Sequence, residues 1–379
     1  MQTVPFGKTG KIVSRLGFGM MRLPTVKKDD GSQPIDREEA IRMLRHGIDH
    51  GINYVDTAYG YHNGESEIVT GLGLKDGYRE RVMLASKLPQ WLVNKEEDMD
   101  RLLDEQLSKL DVSHLDFYLL HALNGAAFTK LQKLNYKKFL EKAKADGRIR
   151  FAGFSFHDEK AEFLRMIDDY DWDMAQIQFN YLDDQYQATV DGLRYAGDKG
   201  IPIVVMEPLR GGALANPPRN VKSLMDAHPS GRSAVNWAFR YVGDFPQVAT
   251  ILSGMTTMEQ LKENLSVFEQ VLPNSLTREE HDFIAQLKKS YLARVKIGCT
   301  GCDYCQPCPQ GVLIPRIFAM YNESYMLNQP GSLHFRYSGV IKDGGDGSLC
   351  VECGQCEAAC PQQLPIIETL KVIHGEAAK

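Results

Sequence analysis

The chain has 379 residues, 43% hydrophobic and 25% charged, with 44 basic against 49 acidic side chains and a net charge of −5. That balance excludes a general polyanion binder, so no nucleic-acid partner is expected. No apolar run approaches the roughly 18 residues of a membrane span, and the first eleven residues lack the apolar core of a signal peptide, so the expected compartment is the cytoplasm, without a membrane partner.

The first 298 residues contain no cysteine and alternate strand-like with helix-like segments. Leu16 to Gly19 reads as a short apolar strand. Residues 38–50 place Ala40, Ile41, Leu44, Gly47 and Ile48 on one helical face. Asn53 to Ala58 (strand), Ser66 to Leu74 (helix) and Arg81 to Leu88 (strand) follow. Met99, Leu102, Leu103, Leu107 and Leu110 recur at spacings of three and four, an amphipathic helix over 95–110. Leu115 to His121 is a strand and 136–146 a helix. Ile149 to Phe156, Ala175 to Asn180, Ile201 to Met206 and Val248 to Ser253 complete the strands. Helices over 158–169, 186–199 and 231–242 separate them, and another covers 257–270.

Eight strands and eight helices in about 270 residues predict a (β/α)8 TIM barrel. The alternative, an open doubly wound sheet, would carry a third glycine after Gly17-Phe18-Gly19, and the required spacing is missing. A further helix over 277–293, opening at Thr277 to Glu280, closes this first domain, 1–293. Residues 294–379 form a small second domain. Ile314 to Leu327 reads as a helix there, and Pro330-Gly331 and Asp343 to Gly347 read as turns.

All eight cysteines lie in that second domain. Cys350, Cys353, Cys356 and Cys360, followed by Pro361, have the bacterial ferredoxin spacing, in which three cysteines hold one [4Fe–4S] cluster and the fourth reaches the other. Cys299, Cys302, Cys305 and Cys308, followed by Pro309, are one residue shorter before the last thiol. With exchange, one cluster would be held by Cys299, Cys302, Cys305 and Cys360, and the other by Cys350, Cys353, Cys356 and Cys308. A single cluster is the other arrangement the spacing allows. Zinc is the competing metal, but its knuckles usually pair two C-x2-C motifs across a longer loop. The domain is therefore expected to be mainly helical and iron–sulfur-bearing.

In a barrel, chemistry sits at the C-terminal strand ends. Asp56 ends the second strand, Lys87 the third and His121 the fourth, with Tyr61 on the loop after Asp56. Singly each has a plainer reading: a capping Asp, a surface Lys, a core His, a packing Tyr. Together they make a proton-transfer site. The Lys, oriented by the Asp, is expected to lower the Tyr pKa, and the His to orient a carbonyl oxygen. Trp91 and His157 are lesser candidates for the same pocket, and His62 reads as a loop residue.

DTAYGYHNGESE, the lysine of LASKLP and the histidine of DFYLLHAL resemble the aldo-keto reductase family over most of residues 1–290. The resemblance implies an NAD(P)H-dependent oxidoreductase with Asp56, Tyr61, Lys87 and His121 as its catalytic tetrad. It also implies cofactor contacts from Ser155, Gln178, Met206, Pro208, Leu209, Gly254, Gln260 and Asn264. Four positions depart from the family pattern. Phe156 follows Ser155 where an asparagine is usual, Met206 replaces a stacking aromatic, and Gly254 and Gln260 stand where basic residues often grip a 2′-phosphate. The cofactor is thus NADPH or NADH, with Arg210 or Lys262 as other sources of positive charge.

GFSFHD and the cysteine tail are similar to a subgroup with a C-terminal ferredoxin-type domain. The implied function is reduction of a small-molecule carbonyl, with Tyr61 as general acid. The alternative is an electron-transfer protein whose clusters serve a redox partner protein. A third option makes the cysteine domain purely structural.

Overall fold

The computed structural model describes residues 1–29 and 31–378. They pack as two compact units, one of residues 1–212 with 235–278, the other of 213–234 with 279–379.

The first unit is a closed barrel of eight parallel strands in chain order. These are β3 (Leu16–Gly19), β4 (Tyr54–Asp56), β5 (Met83–Leu88), β6 (Leu115–Leu123), β7 (Ile149–Phe156), β8 (Met174–Gln178), β9 (Ile203–Met206) and β10 (Val248–Ser253). The strands are short and almost wholly buried, as expected for a parallel sheet covered by helices. The covering helices are α1 (Arg37–Asp49), α2 (Glu65–Gly73), α3 (Glu96–Leu110), α4 (Gly125–Lys133), α5 (Tyr136–Ala145), α6 (Lys160–Asp169), α7 (Thr189–Asp198), α9 (Ala234–Gly243) and α10 (Met258–Val267). The barrel agrees with the sequence expectation, and α4 is an addition to it.

A second addition is an antiparallel hairpin of β1 (Thr3–Pro5) and β2 (Ile12–Ser14) ahead of the barrel. Its Phe6 is fully buried, 4.7 Å from the Phe117 ring and 6.1 Å from the Tyr54 ring. Phe6 and Val13 share one apolar cluster with Met83, Leu119, Met174, Val204 and Leu252, residues carried on barrel strands. The hairpin therefore plugs the N-terminal end of the barrel and leaves the C-terminal end for chemistry.

The second unit contains α8 (Arg219–Ala227), α11 (Arg278–Leu292), α12 (Ile314–Met326), α13 (Pro330–Lys342), α14 (Gln355–Ala359) and α15 (Ile366–Ala377). Ile314, Ile317, Phe318 and Tyr321 line one face of α12, and Ile366, Leu370, Ile373 and Ala377 one face of α15; they meet in a single core. Pro330-Gly331, expected as a turn, instead begins a helix. Proline fits the first helical turn, where its missing N–H is not needed. No helix among the described residues is long and apolar enough to cross a membrane.

Candidate active site

Parallel pairing places the ends of adjacent barrel strands side by side. Asp56 pairs with Gly19 on one side and Ala85 on the other, and Lys87 pairs with Leu119. The Lys87 Nζ is buried and donates to Asp56 Oδ1 at 2.7 Å, to the Thr57 carbonyl at 2.8 Å and to the Tyr61 Oη at 3.2 Å. Three acceptors match the three protons of an ammonium. Burial opposes the Lys87 charge, but Asp56 and Tyr61 outweigh it and keep the amine protonated above the ordinary lysine range. Removing one member of such a pair leaves a buried unpaired charge, at a cost of roughly 3–5 kcal/mol.

Tyr61 opens a tight turn in which His62 (φ 50°), Asn63 (φ 56°) and Gly64 (φ 92°) are all left-handed. His62 is held in the loop, its Nε2 accepting the Leu23 N–H at 3.1 Å. The turn leaves Tyr61 over Lys87, its ring centroid 4.8 Å from Nζ. The sequence suggested a lowered phenol pKa. The structure reverses that sign: burial raises it above the usual value, and the Lys87 charge offsets this only in part. Tyr61 is therefore a neutral phenol with a proton to give.

The His121 ring stands edge-on to Tyr61, centroids 6.0 Å apart, and its Nδ1 is buried without a hydrogen-bond partner. Burial, helped by the charge of Lys87, pushes its pKa down to about 3, so the imidazole is neutral. The Trp91 ring lies 5.2 Å from His121 and is 46% exposed, which makes it a wall of the open mouth. Behind Lys87, the buried Glu67 accepts from Ser86 (2.5 Å) and Gln106 (2.6 Å), and Gln106 donates to the Lys87 carbonyl at 3.0 Å. This network fixes the lysine backbone.

The remaining expected contacts lie at or beyond the C-terminal ends of the later strands. Gln178 and Met206 are register neighbours at the ends of β8 and β9. Gln178 donates to Asp183 Oδ2 (3.3 Å) and accepts from Gln187 (3.2 Å), and the Gln187 amide nitrogen lies 3.5 Å from His157 Nδ1. Phe156 turns outward and packs on Phe163 of α6, ring centroids 5.1 Å apart, so that position offers nothing to a nicotinamide amide. Ser155 is buried and accepts the Ala122 N–H at 2.7 Å.

Pro208 is buried and Leu209 half-buried in the turn after β9, ahead of the left-handed Gly211 and Gly212. Asn264 is buried and donates to Ser253 Oγ at 3.0 Å. Gln260 is committed to a capping box with Thr257, accepting the Thr256 N–H at 2.8 Å. Arg210 pairs with Asp183 at 3.0 Å.

One cation was missed. A Cβ added at Gly254 would lie 3.1 Å from the Arg22 Cβ, and one at Gly211 would lie 3.3 Å from Arg22 Nη2. Arg22 thus spans the loops after the seventh and eighth barrel strands, where barrels commonly take phosphate. It follows the first strand by three residues, so the strand-end rule, applied to that strand as well, would have found it.

In the second unit the eight thiols are free of disulfides. Cys299, Cys302, Cys305 and Cys360 line one cavity. Cys308, Cys350, Cys353 and Cys356 line a second, which Cys305 also borders. Among the described residues, no three His, Cys, Asp or Glu groups are placed to hold a single metal ion.

Comparison with known proteins agrees with both halves. Residues 15–284 match the profile of the aldo/keto reductase family, and residues 298–364 that of a 4Fe-4S dicluster domain. An NADH-specific methylglyoxal reductase of Escherichia coli is 26% identical over 316 residues, covering 70% of this chain and 93% of its own length. An L-galactose dehydrogenase of Arabidopsis thaliana is 24% identical, covering 70% and 87%. The holo form of an aldo-keto reductase from Bacillus halodurans superposes with a TM-score of 0.63 at 25% identity, covering 76% of this chain and 96% of its own. An aldo-keto reductase from Klebsiella pneumoniae, solved with NADPH, gives 0.61 at 24%, covering 76% and 95%.

Proposed function

Because the chain belongs to the aldo/keto reductase family and is an NAD(P)H-dependent oxidoreductase, we propose that it reduces the carbonyl of a small molecule, with Tyr61 as general acid. The observation that carries this reading is the single Lys87 ammonium shared by Asp56, Thr57 and Tyr61. When bound, the reduced nicotinamide supplies a hydride to the carbonyl carbon. Tyr61 gives the Oη proton to the carbonyl oxygen as negative charge develops there. Lys87 stabilises the resulting phenolate, and Asp56 holds the ammonium in place. His121, neutral, donates one N–H to the same oxygen and orients it.

Gln178, Met206, Pro208, Leu209, Gly254, Gln260 and Asn264 are read as the cofactor contacts, and Arg22 supplies positive charge for a phosphate. Both NADPH and NADH are candidates, since Gly254 and Gln260 bring no charge of their own. The barrel domain is read as 1–293 and the cluster domain as 294–379, in a cytoplasmic protein. Two [4Fe–4S] clusters with exchanged ligands are supported by the two thiol-lined cavities, one holding Cys360 with Cys299 and Cys302, the other Cys308 with Cys350, Cys353 and Cys356, and both bordered by Cys305. Cys302 and Cys353 are exposed, which favours a second reading, in which the clusters pass single electrons to a redox partner protein.

Anaerobic addition of NADPH, and separately NADH, followed by a panel of small aldehydes and ketones, tests both. Carbonyl-dependent oxidation of the nicotinamide with an unchanged visible cluster band is the outcome expected for a reductase. Bleaching of that band, with no carbonyl consumed, would replace this reading with the second.

The pH dependence is also set by the site. Tyr61 must be protonated, and its pKa lies above the usual phenol value. His121 must be neutral, and it charges only near 3. The turnover number for reduction is therefore expected to be flat between about pH 5 and about pH 9, falling at alkaline pH as Tyr61 ionises. An inflection near the ordinary histidine value in a kcat profile would show that His121 charges during turnover.

A further inference from the structure

Strand β6 is regular up to Leu120, which pairs with Phe154 of β7. Pairing resumes at Leu123 with Phe156. Between these two pairs, His121 and Ala122 on β6 face Ser155 alone on β7, which is a β-bulge. Bulges beside active sites re-aim a side chain or end the ladder. Here the extra residue follows directly on His121, the neutral group that faces Tyr61.

The bulge carries a conformational cost. Ala122 has φ 50°, a left-handed backbone that alanine avoids because its Cβ crowds the following carbonyl oxygen. Such a residue persists only where its surroundings over-determine it. The ladder supplies the next bond, from the His157 N–H to the Leu123 carbonyl at 2.9 Å. The Ala122 N–H goes to a side chain, the Ser155 Oγ at 2.7 Å. Ser155 is 2% exposed, so no bulk water stands ready to replace it.

We infer that Ser155 is a positioning residue that acts through the Ala122 N–H to hold the bulge and, with it, the His121 imidazole at the reacting oxygen. This role stands in place of the cofactor contact that the family resemblance implies for Ser155, and it rests on the reading of Tyr61 and His121 as the carbonyl-facing pair. The two roles of Ser155 separate in experiment. A residue that holds the nicotinamide amide governs cofactor affinity. A residue that holds His121 governs the turnover number.

The test uses the full-length holoprotein with Ser155→Ala, Ser155→Thr and the double variant Ser155→Ala/Ala122→Gly. In Ser155→Ala, kcat for carbonyl reduction is expected to fall about tenfold while the nicotinamide Kd stays within about twofold. Amide hydrogen exchange of the peptide spanning 119–124 should accelerate. Ser155→Thr keeps the hydroxyl and should restore both. Ala122→Gly removes the cost of the left-handed backbone and should recover part of the lost turnover in the double variant.

A weakened nicotinamide Kd with unchanged kcat and unchanged exchange at 119–124 would overturn the inference. If Ser155→Ala does not fold, loss of protection in the folded Ser155→Thr variant would overturn it as well. If the wild type reduces no carbonyl, the functional reading fails, yet the exchange measurement still decides whether Ser155 pins the bulge.

Discussion

In a Tyr61→Phe variant, carbonyl reduction is expected to fall about a thousandfold, the range of a lost general acid, while nicotinamide affinity stays within about twofold. The substitution removes one oxygen and keeps the ring. Lys87 retains Asp56 and Thr57 as acceptors, and its 4.8 Å approach to the ring face survives. The fold should therefore lose no more than about 1 kcal/mol, the net worth of one hydrogen bond. Steady-state kinetics, a nicotinamide fluorescence titration and a thermal melt check the three parts separately. Full turnover in this variant would remove Tyr61 from the mechanism.

Replacing Cys360 by alanine is expected to lower iron from about eight to about four atoms per chain and to halve the visible absorbance. Cys360 lies near the end of the second cysteine run but lines the same cavity as Cys299, Cys302 and Cys305. Cys308→Ala should halve the iron in the same way, since that thiol lines the cavity of Cys350, Cys353 and Cys356. The double variant should lose nearly all of it. Four irons in the wild type would mean one cluster, and a colourless zinc-bearing chain would mean none. Metal analysis with anaerobic absorbance spectra distinguishes these cases.

How much of this was legible in the sequence differs by feature. The barrel strands were readable because each is a short apolar run bounded by turns, and because helices alternate with them. Asp56, Lys87 and His121 were readable from their place at strand ends. The N-terminal hairpin was not, since its strands are three residues each and one ends in a proline. It exists because Phe6 finds a seat among barrel side chains, a tertiary fact. Helix α13 was hidden because Pro-Gly signals a turn unless the proline falls in the first helical turn.

Side-chain chemistry was less legible still. The shift of Tyr61 has two opposing causes, and only the structure shows that burial exceeds the influence of Lys87. Gln260 shares its position with phosphate-gripping residues, yet its amide caps its own helix. The left-handed Ala122 gives no sign in the sequence, because alanine has no preference for that conformation.

The hairpin has a consequence for traffic. The barrel interior is a packed core, and Phe6 adds one more apolar ring at its lower end, so the catalytic end is the one open to solvent. Whatever reacts beside Tyr61 must enter and leave on the side where Trp91 stands exposed. Removing the Phe6 ring would thus loosen the floor beneath the catalytic end without opening a second way to it.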